Sequence, residues 1–297
     1  MRRSFTLIEI IFVLIILGIV ASIGSDLLFK AYENYLISLE FSKASYKTDV
    51  ALEQMARRLE YRIPYTGISI HDISDPDTMA PLSQVNPDHK IIAWIGQAYE
   101  ARRGEYNGST NYPGWSGFAD LSESNKTQLK TRGDDLNIAT RIIEPIYDTN
   151  LSQANNGCAL TFAAYPENVD ILTAYGWKKP TGTDPTDIFA VHAQDSTTLI
   201  YDAIKPKKVY EHFVIGCSAY AIVPKSNTQG NYDLYLYYNF RPWKGERFSD
   251  GKSVLLVQNV TKFNFRRVAH SIELRLCTNS AISSDINVTI CGKKVIY

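Results

Sequence analysis

The apolar pattern opens with one uninterrupted block. Residues 5–24 read FTLIEIIFVLIILGIVASIG, with Glu9 as the single charge. Twenty helical residues span ~30 Å, the thickness of a bilayer's hydrocarbon core, so the block is long enough to cross a membrane. No proline occurs between Met1 and Ile63, and helix formers dominate 26–61, which predicts one helix from about Phe5 to Tyr61. On a helical wheel Leu28, Tyr32, Tyr35, Leu39, Tyr46 and Val50 fall on one stripe, and Phe41, Ala44, Thr48, Leu52, Met55 and Leu59 fall on the opposite one. Two apolar stripes predict two partners. The 41–59 stripe, nearest in sequence to the rest of the chain, is expected to pack on the protein's own head. The 28–39 part then faces other molecules or the membrane surface. Arg57, Arg58 and Arg62 suit the carboxyl end of the helix dipole.

Beyond the helix the pattern is irregular to about Asn156, with dense turn signals at 72–77, 86–88, 102–117 and 132–135. Residues 90–100 read as a strand or a short helix, and RIIEPIYD at 141–148 as a helical turn broken at Pro145. The second half reads as strands: 159–164, 186–192, 198–202, 212–223, 232–240, 254–267, 271–277 and 287–296. Leu234, Leu236, Tyr238 and Phe240 alternate with Tyr235, Tyr237 and Asn239, and Ile272, Leu274 and Leu276 alternate with Glu273 and Arg275. This is the half-buried antiparallel pattern, with one face turned to a core. An α+β fold follows, with the 41–59 stripe of the long helix on the apolar face of a sheet.

Composition narrows the picture. The chain has 297 residues, 45% apolar and 21% charged, as folded proteins do. Lys+Arg and Asp+Glu are both 31, so there is no basic excess for bulk binding to nucleic acid; a local patch stays open.

Arg2 and Arg3 precede the apolar block and the first cation after it is Lys30, which places the amino terminus in the cytoplasm and exports the rest. A secretory signal peptide is the rival reading, with Val20-Ala21-Ser22 as a weak cleavage site. Against it stand the length of the block and its acid. A carboxylate within a membrane helix costs about 2–3 kcal/mol near the centre and less toward an end. No Lys, Arg or His lies within 5–24 to pair with Glu9, so its partner is expected from another subunit.

Met-Arg-Arg-Ser followed by Phe5-Thr6-Leu7-Ile8-Glu9 resembles the amino-terminal signal of type IV pilins and type II secretion pseudopilins. The resemblance covers only the first 25 or so residues. It implies that a prepilin peptidase cuts between Ser4 and Phe5 and methylates the Phe5 amine. It also implies that Glu9 pairs with a neighbouring subunit's terminal amine during assembly, which is the partner the energetics ask for. Two positions depart from the family: Ser4 stands where Gly is usual, and Asp26 where many members carry a Pro, so no kink is expected before Pro64. The implied organisation is a leader (1–4), a transmembrane half-helix (5–25), an amphipathic half-helix (26–61) and a periplasmic head (62–297). The implied partners are other pilin or pseudopilin subunits, the peptidase, an inner-membrane assembly platform and, before assembly, membrane lipid. The head's size and strand content are closest to the bulky J-type pseudopilins and W-type minor pilins, which suits a tip or initiating position. The machine served (pilus, DNA uptake or secretion) stays open.

Four cysteines, Cys158, Cys217, Cys277 and Cys291, permit three pairings, and export favours oxidation. Alternation sets Cys277 beside Glu273 and Arg275, and Cys291 beside Asn287 and Thr289, on the polar faces of adjoining strands. Both are equidistant from Ser284, a candidate hairpin centre, which predicts Cys277–Cys291 and leaves Cys158 and Cys217 to each other by elimination.

Other chemistry is sparse. None of the five histidines forms a zinc-type pair, and neither a nucleophile elbow nor a P-loop occurs, so no catalytic residue and no cofactor is assigned. His192, Asp195 and Ser196 are near neighbours in sequence. Asp72, Asp75 and Asp77 crowd oxygens into one loop, a calcium candidate without the EF-hand spacing. Trp94, Tyr99, Tyr106, Tyr112, Trp115 and Phe118, with Arg102 and Arg103, are either the packing of a long loop or a surface that stacks on nucleotides or sugars. The second option would make the chain a membrane-anchored periplasmic binding or adhesion protein.

Overall fold

The computed structural model describes residues 6–75, 77–86, 88–106, 108–162, 170–178, 186–228, 230–281 and 287–297. Helix α1 runs unbroken over Leu7–Glu60, 54 residues or about 80 Å of rod. Three short helices follow: α2 (Tyr99–Arg103), α3 (Leu136–Tyr147) and α4 (Ile171–Ala174). The strands are β1 (Ile68–Ile70), β2 (Met79–Pro81), β3 (Ile91–Gly96), β4 (Glu105–Tyr106), β5 (Asn111–Tyr112), β6 (Gln128–Lys130), β7 (Ala159–Phe162) and β8 (Ile188–Asp195). They continue with β9 (Thr198–Tyr201), β10 (Phe213–Gly216), β11 (Ser218–Ser226), β12 (Tyr232–Phe240), β13 (Lys252–Val268), β14 (Ser271–Ala281) and β15 (Asn287–Ile296).

Eight strands form an antiparallel sheet in the order β15-β14-β13-β12-β11-β3-β1-β2. One face takes the carboxyl-terminal half of α1. Ala51, Leu52, Met55 and Leu59 close over Trp94, Leu234, Leu236, Val260, Leu274 and Leu276 in one apolar core. The opposite face is also buried at its centre, where Ile68, Ile91, Ile95, Ala221 and Tyr237 meet Tyr175 and Ile188. A second sheet, β10-β7-β8-β9-β6, builds a third core with α2 and α3 around Trp115, Leu136, Ile143, Leu160 and Phe213. The architecture is α+β: a long apolar amino-terminal helix packed on antiparallel sheet.

The predicted stripe meets the sheet over Ala44–Leu59, joined by Ala51 and Ala56. Phe41 does not join it and is 55% exposed. The contact runs out at this level, where Glu40 already lies at the margin of β14, accepting from the Ser280 hydroxyl at 2.9 Å. Inside the contact Thr48 and Thr278 share a buried hydrogen bond of 2.7 Å.

Three sequence expectations need correction. RIIEPIYD is the end of a 12-residue helix that runs through Pro145 to Tyr147. Pro145 is exposed in the last turns, so the helix forfeits one hydrogen bond while Ile143 and Tyr147 stay buried. The expected strand 212–223 is two strands. It divides at Cys217, with β10 paired to β7 in the small sheet and β11 paired to β3 and β12 in the large one. The alternation in β12 breaks near its end. Asn239 has φ 58°, and Tyr238 and Asn239 together oppose Tyr220 between the pairs Ala221↔Tyr237 and Ala219↔Phe240. This bulge shifts the phase, so Phe240 packs with Tyr235 and Tyr237 instead of with Leu234 and Leu236.

Candidate functional site

The part of the chain least explained by its own folding is the first half of α1. Leu7, Ile8, Phe12, Leu14, Leu17, Val20, Leu28 and Phe29 are between 61% and 79% exposed. The most apolar 18-residue window, of mean hydropathy 2.8, has none of its residues buried. At ~1.5–3 kcal/mol for full burial of one such side chain, the surface is far too apolar to be left in water. The helix is long and apolar enough to cross a membrane.

Glu9 is the one charge between Thr6 and Ser25, and Thr6 is the N-cap of the helix in front of it. The Thr6 amide and hydroxyl both donate toward Glu9 Oε2, at 3.4 and 3.3 Å. Thr6-Leu7-Ile8-Glu9 has the T-x-x-E pattern of a capping box, with the Glu9 carboxylate reaching back to the N-cap amide while the Glu9 amide donates to the Thr6 carbonyl at 3.1 Å. That motif is legible in the sequence, and the reading based on charge partners overlooked it. The box sets a negative charge at the helix's positive end, offsetting part of its cost in an apolar medium. No cation pairs with Glu9 among the described residues. Ser4 and Phe5, the expected processing residues, lie outside the described residues, as does Ser284.

Two disulfides hold the head. Cys277 and Cys291 are direct register partners across β14 and β15, and their sulfurs are bonded. Cys158, just before β7, is bonded to Cys217, the residue at which the chain crosses from the small sheet to the large one. This second bridge continues the β7–β10 pairing one residue past Ala159↔Gly216, at the point where the chain crosses to the large sheet. At the helix end, Arg62 Nη1 donates to the Leu59 carbonyl at 2.8 Å, as a basic residue at a carboxyl terminus should.

The remaining candidates are not assembled into a site. Trp94 and Trp115 are fully buried, and their indole N–H groups donate to the Arg58 and Ala98 carbonyls at 3.2 and 3.0 Å. Tyr106 and Tyr112 are exposed on the β4–β5 ribbon, Phe118 lies edge-on to His212, and Tyr99 stacks on Tyr61. Arg102 sits over the Trp115 ring at 5.3 Å. The aromatics of 94–118 therefore do not share one binding surface, because their spacing distributes them between cores and edges.

His192 is not grouped with Asp195 and Ser196. Asp195 holds the β8–β9 turn, accepting from the Thr197 amide at 2.8 Å, while His192 Nδ1 lies 2.5 Å from Asp202 Oδ1. Asp202 also accepts from the Asn155 amide at 3.0 Å, which makes the pair a strut under the hairpin. Sequence proximity missed Asp202; the antiparallel register His192↔Ile200, which sets Asp202 past the end of β9, is the signal that finds it. Asp72 and Asp75 accept from the Ser74 and Asp77 amides within their own turns, and Asp77 pairs with Arg247 at 3.1 Å. Among the described residues no group of three or more His, Cys, Asp or Glu is placed to hold a metal ion.

No family model, curated protein or solved structure matches the chain.

Proposed function

We propose that the protein is a minor pilin or pseudopilin, a subunit that assembles into or initiates a type IV pilus or a type II secretion pseudopilus. One observation carries the reading: a helix of 54 residues whose first half touches nothing in its own head, and whose residues 7–25 are apolar except for a carboxylate in the first turn. Before assembly that half spans the inner membrane and the disulfide-bonded head stands in the periplasm. A prepilin peptidase removes residues 1–4 and methylates Phe5. The assembly machinery then draws the helix out of the bilayer, and contacts with neighbouring helices replace contacts with lipid. Glu9 binds the terminal amine of an adjacent subunit, a charge pair that fixes axial register, because an unpaired carboxylate within an apolar bundle is costly. The exposed Tyr32, Tyr35, Leu39 and Phe41 continue the same contact surface outward.

The test is incorporation in cells. Glu9→Gln retains size and polarity but not charge, and it should leave the protein in the inner-membrane fraction and out of sheared filaments. Incorporation equal to the unaltered protein would overturn the reading.

A further inference from the structure

Where α1 ends against the head, a groove of about 620 Å³ opens between its last turn, α2, the end of α3 and strands β12 and β13. It is separate from the exposed half of the helix. Arg57, Arg58 and Arg103 line it against a single carboxylate, Glu100. Arg57 is engaged by Glu53 at 3.2 Å. Arg58 and Arg103 are exposed and have no carboxylate partner among the described residues. Tyr61 and Tyr99 stack into one platform on the wall, their centroids 3.7 Å apart and their planes inclined by 18°. Deeper in the groove the Tyr147 hydroxyl donates to Glu100 Oε2 at 2.9 Å. Burial holds the Tyr147 and Tyr220 hydroxyls protonated, so both remain donors.

We propose that this groove binds a short acidic oligosaccharide built of uronate units. Arg58 and Arg103 meet its carboxylates, the Tyr61–Tyr99 platform lies against a sugar ring, and Glu100 accepts from its hydroxyls. Guanidinium forks match carboxylates bidentately, and two of them without acids in one groove ask for an anion. Neutral sugar would leave both without a partner. Nucleic acid fits less well. Tyr61 and Tyr99 already cover one face of each other, so the groove lacks the series of free faces on which successive bases stack. The volume falls in the range of small-ligand sites, roughly 300–1,000 Å³, which suits a few sugar units.

The inference stands apart from filament assembly and survives its failure. The test is calorimetric titration of the full-length protein in detergent micelles with tetragalacturonate, its methyl ester and a thymidine tetranucleotide. Tetragalacturonate should bind, with the ester and the tetranucleotide each at least about tenfold weaker. Arg58→Gln and Arg103→Gln should each lose about tenfold in affinity with unchanged melting curves. Arg275→Gln, which lines a different pocket, should lose none. The assignment is overturned if tetragalacturonate does not bind, if ester or tetranucleotide binds as tightly, or if the two arginine variants keep full affinity.

Discussion

Gly292, on the edge strand β15 of the large sheet, lies directly against α1. A Cβ at this position would lie 2.6 Å from Leu52 Cδ1 and 3.2 Å from Thr48 Cγ2. Gly292→Ala therefore forces the Leu52 side chain out of its rotamer, at a cost of about 1–2 kcal/mol. Leu52 is 3% exposed, and Leu52→Ala should cost about 2–4 kcal/mol in lost transfer energy and residual cavity. The two effects oppose each other in space: the methyl added by Gly292→Ala would enter the volume that Leu52 vacates. The double variant should then be more stable than the sum of the singles by about 1–2 kcal/mol, well beyond the roughly 0.5 kcal/mol scatter of independent sites. The assay is equilibrium urea denaturation of the full chain in detergent, followed by tryptophan fluorescence, with Trp94 lying in the same core. Additivity within about 0.5 kcal/mol would refute the placement of α1 on β15.

Other consequences are open to measurement. Asp134 accepts from the Ser116 amide at 2.7 Å, and burial pushes its carboxyl up to about 6. A folded-state value above the unfolded one makes ionisation destabilising, with the cost absent below about pH 4 and complete above about pH 6. Asp134→Asn should accordingly raise the melting temperature at pH 7.5, by the equivalent of about 1–3 kcal/mol, and leave it unchanged near pH 4; an equal effect at both values would contradict the cause given. Replacing Cys158 and Cys217 by Ala opens a closure of 59 residues and should cost about 4 kcal/mol in the chain-entropy account. Replacing Cys277 and Cys291, 14 residues apart, should cost about 3 kcal/mol; the reverse ranking in denaturation midpoints would show that loop length does not govern either bridge.

How much of this was legible in the sequence depends on the range of the interaction. The helix was, because an apolar block without proline, then a stripe at helical spacing, is a local signal: Leu52, Met55 and Leu59 are buried where periodicity put them. Strands 232–240 and 287–296 also lie where alternation placed them. The second sheet was not legible. FVIGCSAYAIV carries no turn signal at Cys217, and only pairing partners distant in sequence divide it between two sheets. The groove at the end of α1 escaped for the same reason. Arg58 on the helix, Tyr61 just past its end, Tyr99 and Arg103 on α2 and Tyr147 on α3 are each ordinary in their local context, and they meet only because α2 and α3 fold against the helix terminus. The 94–118 segment misled in the opposite sense, since Trp94 and Trp115 share a stretch of sequence but belong to different cores.

The assembly account rests on what becomes of the amino terminus. Mass spectrometry of the amino-terminal peptide of the mature protein, isolated from cell envelopes, reads this directly. The account requires a chain that begins at Phe5 with a methylated amine, leaving Glu9 one helical turn from the new terminus. A mature chain that still begins at Met1, or that begins beyond Gly24, would contradict it.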